Sequence, residues 1–341
     1  MKKIILFLLF SVVVSAQKTQ YIELRNSIKD KNHIAKSLTL LDKREDKNIG
    51  IVSHRKDPYE VKFEKDDLEK LFSDWFSEDN KIKGSTPYFL MLEDLKVNDI
   101  VNGSSASGHL EMKVSTFLKK GDNYYFLKRS TVSKTYRQRD HAYITRIIAA
   151  KIGSELATII KDSYAEPVVD IPLAETDLSN YQKLIIERLP VFKAESFIDG
   201  VYKDYKSFAE QKPDKELEVR KNKDGIIKGV KRVDGYDNLG KDVFAIIDNG
   251  IAYKKTPTGI IEIEKDNDGI FITASEEELF PEGNTYTITG AAMGGVIGGL
   301  VGGIIDVTTS AARKKNAKYF RIGIDPLTGE YILPESFDKY K

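Results

Sequence analysis

Residues 235–242 read GYDNLGKD, which up to its last position has the GxxxxGK spacing of a loop that cradles phosphate. That chemistry needs a Ser or Thr hydroxyl after the lysine to meet Mg²⁺, and a helix whose N-terminus receives the phosphate. Asp242 stands where the hydroxyl belongs and the strand-like DVFAIID follows, so nucleotide binding is not expected. The stretch around Asp266-Asn267-Asp268-Gly269 raises calcium. With Gly269 as the sixth loop position, Glu264, Asp266 and Asp268 take positions one, three and five, but the twelfth falls on Ser275 instead of a bidentate glutamate. A hairpin turn accounts for the same residues.

His33, His54, His109 and His141 form no i, i+4 pair and have no cysteine beside them, so a zinc site would need convergence over long range. The serines of GSSASG at 103–108 miss the G-x-S-x-G register of a nucleophile elbow and read as a loop. With 52 Asp plus Glu, accidental carboxylate pairs are unavoidable and no acid/base dyad stands out. The basic stretch Lys134–Arg139, carrying Tyr136, could touch nucleic acid or an acidic polymer. It reads more simply as a solvated edge strand whose charges block sheet-to-sheet pairing. No catalytic, cofactor-binding or metal-ligating residue is nominated, and no cofactor is expected.

The elements that would position any site follow from periodicity. Leu68, Leu71, Phe72, Trp75 and Phe76 lie on one stripe of a helix over Asp66–Asp79, and Ile144, Ile147, Ile148, Ile152, Leu156, Ile159 and Ile160 on one stripe of a longer helix from Asp140. Between them TPYFLMLEDLKV, HLEMKVSTFL and NYYFLKRSTV read as an antiparallel meander. A strand near Ser37–Ile51 makes the order β-α-β-β-β-α, with both helices free to lie on one sheet face. Pro167 and Pro172 break the pattern, and a short helix can start at Leu178. Beyond Phe197, IIKGVKRV, DVFAIID, GIIEIE and GIFITA are separated by Asn249-Gly250, Thr258-Gly259 and Asp268-Gly269, which are hairpin signals. KYFRIGI and GEYILP come last.

Residues 288–307, ITGAAMGGVIGGLVGGIIDV, interrupt this β-rich half. Gly290, Gly294, Gly298 and Gly302 recur every four residues, and Gly295, Gly299 and Gly303 repeat the spacing one residue along. On a helix the two rows share one face, a small-residue ridge that lets another backbone approach closely. Seven glycines cost an isolated helix about 6 kcal/mol relative to alanine, so something must pack against it. Lipid, a second copy of the segment and the protein's own body are the three candidates. The 23 uncharged residues from Gly283 to Ile305 are long enough to span a bilayer, and Arg313, Lys314, Lys315 and Lys318 follow, but the apolar residues make spanning only marginally favourable. If the last two strands complete the sheet begun before residue 280, both ends of the segment lie on one side, which argues against a single crossing.

Lys2 and Lys3, the apolar run Ile4–Val14 and the small residues Ser15 and Ala16 read as a secretory signal peptide cleaved between Ala16 and Gln17. The expected division is a signal peptide at 1–16, an α+β domain at 17–165, a linker with a short helix at 166–195, and a β-rich domain at 196–285. A glycine-zipper helix or hairpin at 286–307 and completing strands at 308–341 follow. Lys plus Arg total 53 against 52 acids, so no global field draws the chain to nucleic acid, and none is expected as a partner.

Residues from about 38 to 164, in this element order and with Asp42-Lys43-Arg44 and Ile49-Gly50 after the first strand, resemble the YajG-type and related transport-auxiliary lipoproteins of Gram-negative envelopes. The resemblance implies an envelope accessory role; the lipid-bearing cysteine of that family has no counterpart, since the chain has no cysteine. The second half, with FIDGVYKDYKSFAEQKP and IDPLTGEYI, resembles parts of uncharacterised exported proteins and implies no activity. The expectation is therefore a non-enzymatic exported protein of the periplasm or the periplasmic face of an envelope membrane. It would be an accessory, assembly or binding component whose partner is an envelope protein, a second copy, or a membrane met through 288–305. The alternative is a periplasmic hydrolase with dispersed carboxylates in the cleft between the domains.

Overall fold

The computed structural model describes residues 18–54, 57–102, 105–137, 140, 143–166, 168–234, 243–266, 269–281, 317–334 and 337. The cleavage pair Ala16 and Gln17, the loop 235–242, Asp268, His141 and the seven ridge glycines lie outside the described residues.

The protein is α+β. Four strands precede the first helix: β1 (Lys18–Ile22), β2 (Ala35–Asp42), β3 (Ile51–His54) and β4 (Asp57–Phe63). Helix α1 (Leu68–Asp79) starts where the Asp67 carboxylate accepts the Lys70 amide at 2.9 Å, an N-cap that satisfies one of the helix's free donors. It buries Leu71, Phe72, Trp75 and Phe76, the stripe read from the spacing. Strands β5 (Thr86–Asn102), β6 (Ser105–Lys120) and β7 (Asn123–Arg137) form the expected meander. Helix α2 (Ile144–Ser163) follows and buries Ile144, Ile148, Ile152, Leu156, Ile159 and Ile160.

The sheet order is β2-β5-β6-β7, with β2 parallel to β5 through the α1 crossover. Leu40, Leu90, Leu92, Met112 and Val114 share one core with both helices, so α1 and α2 do cover the same face. The ends of the meander strands run further than the periodicity suggested, and most of GSSASG is the start of β6 instead of a loop.

One strand was expected over Ser37–Ile51, and there are two. The Asp42 carboxylate folds the chain back by accepting from the Arg44 amide at 3.2 Å and from its guanidinium at 2.9 Å, an Asx-type turn. Asn48 then accepts the Gly50 amide at 3.0 Å, and Gly50 sits at φ +123°, where an added Cβ would lie 2.0 Å from the Val97 carbonyl oxygen. The redirected β3 joins β1 and β4 in a separate three-stranded sheet of order β1-β4-β3, and the sequence pattern had marked neither β1 nor β4.

Within the segment expected as a linker, a 3₁₀ turn (Glu175–Asn180) leads into α3 (Tyr181–Arg188) and α4 (Pro190–Lys193). The second half adds β8 (Gly200–Tyr202), α5 (Tyr205–Ala209), β9 (Leu217–Lys221), β10 (Ile227–Arg232), β11 (Ala245–Asp248), β12 (Ile251–Thr256), β13 (Gly259–Asp266) and β14 (Gly269–Ser275). After α6 (Glu276–Leu279) come β15 (Tyr319–Ile324) and β16 (Tyr331–Ile332). Seven of these strands make one antiparallel sheet, β16-β15-β14-β13-β12-β11-β8, while β9 and β10 pair apart and cover Val201, Ile246 and Ile260 on its outer face. Asn249-Gly250 turns β11 into β12, with both residues at positive φ as a tight hairpin requires.

This large sheet curls. Strands β12 and β16 are four positions apart, which in a flat sheet is about 19 Å, yet the Lys254 ammonium lies 5.6 Å from the centre of the Tyr331 ring. The Tyr205 hydroxyl, just past β8, likewise donates to the Pro326 carbonyl at 2.8 Å, tying one edge of the sheet to the turn near the other.

Candidate functional site

The second face of the four-stranded sheet is not left to solvent. Met91, Phe117, Tyr124 and Phe126 belong to the same core as Tyr181 and Ile185 of α3 and Phe208, Phe244 and Ile272 of the second half. Tyr181 is the wedge: its ring meets Phe117 edge-on at 5.1 Å and stacks on Phe126 at 5.8 Å. Extended chain after α2 continues the sheet, with Tyr124 and Leu173 exchanging backbone hydrogen bonds of 2.8 and 3.0 Å.

Where this apolar seam ends, β5, β6, β7, α3 and the turn after β15 converge on a set of polar side chains. The Glu93 carboxylate accepts from the Ser115 hydroxyl at 2.6 Å, the Tyr181 hydroxyl at 2.9 Å and the Gln182 amide at 3.1 Å, with the Lys113 ammonium at 3.2 Å. Arg129, one strand over, donates to Gln182 at 2.8 Å and forms an ion pair with Asp325. Burial works against the Arg129 charge, but the Asp325 carboxylate and the Tyr181 hydroxyl outweigh it and hold the guanidinium more firmly protonated than usual. Burial beside Glu93 pushes the Tyr181 phenol up, so it stays a donor. The Asp325 carboxylate also accepts the Leu327 and Thr328 amides at 2.9 and 3.0 Å, shaping the 325–330 turn.

A half-buried acidic fringe borders this network. Burial, then repulsion from Asp325, pushes the Glu330 carboxyl up to about 7, although Lys128 and Arg129 oppose the shift. Burial raises Glu166 as well, with Asp162 and Asp204 adding to it. Lys128 is engaged by Asp162 at 3.1 Å. Further into the same core, Lys254 donates, among the described residues, only to the Lys255 carbonyl at 3.0 Å and has its ammonium 4.2 Å from the Phe244 ring centre; burial, and then the Lys255 charge, lower it to about 7.

Chemically, the network can hold two sheets in register and bind or release protons at its acidic fringe. Among the described residues no group of three or more histidines and carboxylates is placed to hold a metal ion. The calcium-like residues serve the hairpin instead: Asp266 pairs across it with Gly269 and binds Arg321 at 2.6 Å, Glu264 accepts from Thr273 at 3.2 Å, and Ser275 caps α6. His109 sits between Thr135 at 3.0 Å and Glu111 at 3.2 Å, His54 stacks on Tyr143 at 5.1 Å, and His33 is in a loop. Lys134, Thr135 and Arg137 are exposed on the outer strand β7, as a solvated edge would be, while Tyr136 between them is buried in the first core.

Sequence reasoning missed Glu93, Arg129, Tyr181, Asp325 and Glu330. The available signals were slight: a charged Lys128-Arg129 pair within an apolar strand, and a DPLTGE turn with more hydrogen-bonding groups than a hairpin needs.

No family model matches the chain, and no curated protein matches it. Among solved structures, a minor lipoprotein from Acinetobacter baumannii is similar at 14% identity, over 40% of this chain and 96% of that one, with a TM-score of 0.24. A likeness of that size assigns no function to this chain.

Proposed function

We propose that the protein is a non-enzymatic, exported envelope component with an accessory, assembly or binding role, attached to a membrane or to a second copy through the glycine segment 286–307. The YajG-type resemblance of the first half is part of this reading. The observation that supports it most is where the segment is inserted. Strands β14 and β15 are antiparallel neighbours with Ser275 opposite Tyr319, so Pro281 and Ala317 leave and re-enter at one end of one sheet. A single crossing would separate those ends by about 30 Å of hydrocarbon. The attachment is therefore an excursion that enters and returns on the same side, with Gly290, Gly294, Gly295, Gly298, Gly299, Gly302 and Gly303 as its packing ridge. Among the described residues no helix is long and apolar enough to cross a membrane.

Fractionating cells that express the full chain, alongside a deletion of 290–303, tests this. Wild type in the membrane pool or in an oligomer, and the deletion as a soluble monomer, is the expected pair. Replacing Gly294 and Gly298 by leucine should break a close helix contact but improve simple partitioning into lipid, which separates packing from anchoring. Full-length protein that is a soluble monomer without detergent would end the reading. The hydrolase alternative has one observation in its favour, the raised carboxyls of Glu166 and Glu330 at the junction. Turnover of glycoside or peptide substrates that is lost in Glu330→Gln would favour it.

A further inference from the structure

We propose that the contact between β7 and the 325–330 turn is a proton-operated latch, seated when Glu330 and Glu166 are protonated and loosened when they ionise. The latch stands apart from the glycine-segment attachment and uses none of its residues.

The geometry is a charge imbalance at a seam. Facing it are Asp162 from the end of α2, Glu166 from the following chain, Lys128 and Arg129 from β7, Asp204 and Lys206 from the start of α5, and Asp325 with Glu330 from the turn. All three cations are already paired, Lys128 with Asp162, Arg129 with Asp325 and Lys206 with Glu210 at 3.8 Å. That leaves Glu166 and Glu330 half-buried with no ion-pair partner among the described residues. Ionising both places two further negative charges beside Asp325 and the other acids, in a place where water screens them poorly. The 325–330 turn is the moving part of the latch. It is held to β7 by Arg129 and to α5 by the Tyr205–Pro326 hydrogen bond, and its Gly329 lies against the Tyr205 ring.

The raised carboxyls set the direction. A group that binds its proton more tightly in the closed turn than in the open one stabilises closure below its ordinary value of 4.5, and that stabilisation is lost as pH rises through about 7. Glu330 alone then shifts the opening equilibrium by roughly thirty-fold between pH 5 and pH 7. Lys254, which touches Tyr331 next door, acts in the opposite direction and mainly above pH 7, so the window from 5 to 7 isolates the acids.

Hydrogen–deuterium exchange of the full chain at pH 5, 6 and 7, corrected for intrinsic rates, reads the latch directly. Amides of 325–332 should lose protection by tenfold or more across that range relative to those of β12 and β13. Glu330→Gln should flatten the loss, and Glu166→Gln, whose side chain lies outside the turn, should reduce it. Unchanged protection of the turn in wild type overturns the proposal. So does a full pH dependence that persists in both variants, since the protons would then be bound elsewhere.

Discussion

Replacing Lys254 by methionine should stabilise this protein. Lys254 is 7% exposed and its side chain meets two aromatic rings and one backbone carbonyl, with no carboxylate partner among the described residues. An amine that binds its proton near pH 7 in the folded state and at 10.5 in the unfolded chain makes the folded state worse by about 4 kcal/mol at pH 7. Methionine fills the same volume without the charge, and what it loses is cation–π attraction of about 1–2 kcal/mol. The expected net gain is about 2–3 kcal/mol. Between pH 7 and 10.5 the unfolded chain holds the extra proton, so wild-type stability should rise with pH, by about 2 kcal/mol from pH 7.5 to pH 9. The window stops there because Tyr136 and Tyr202, whose phenols burial pushes up to about 12, cost stability once pH passes 10. Urea unfolding followed by Trp75 fluorescence and by circular dichroism at pH 7, 7.5, 8 and 9 gives both quantities. The reasoning fails if Lys254→Met is less stable than wild type at pH 7, or if the wild-type rise with pH survives in that variant.

Gly329 has φ +73° and a Cβ placed on it would lie 2.3 Å from the Tyr205 ring, so Gly329→Ala should cost about 2–4 kcal/mol in urea unfolding, combining backbone strain and overpacking. Gly225→Ala, at φ +78° with open space around it, should cost only about 1 kcal/mol; equal losses at the two positions would mean that the turn is not seated on Tyr205. The Ser130 hydroxyl is buried with no hydrogen-bond partner among the described residues, so Ser130→Ala should leave stability unchanged or raise it by about 1 kcal/mol, and a loss beyond 1 kcal/mol would show that the hydroxyl is bonded after all.

Helix positions were legible because each stripe is written in consecutive residues: Leu71, Phe72, Trp75 and Phe76 need only each other to reveal a face. The hairpins were legible for the same reason, a local turn between alternating runs. What escaped depends on partners far along the chain. Strand β12, IAYKKT, hides because Lys254 occupies an inward position that a sequence pattern assigns to an apolar residue, and only the rings of Phe244 and Tyr331 make that tolerable. The break between β2 and β3 depends on one carboxylate turning back to Arg44, which periodicity does not register. The junction was the least visible part, because Glu93, Arg129 and Asp325 are each ordinary where they stand and acquire a role only when three strands, a helix and a turn meet.

Arg129 and its partner Asp325 are separated by 196 residues. A chain that grows at roughly 5–20 residues per second keeps the first waiting about 10–40 s for the second. Early in that interval the helices can already cover one side of the meander, while Met91, Phe117, Tyr124 and Phe126 on the other side have at most α3 to shelter them until Phe208, Phe244 and Ile272 of the second half are made. Synthesis thus passes through a stage in which a finished-looking half presents an oily, unpaired surface. A holding factor that binds the nascent chain would have its period of greatest use there, and a slow stretch of translation before residue 208 would lengthen it.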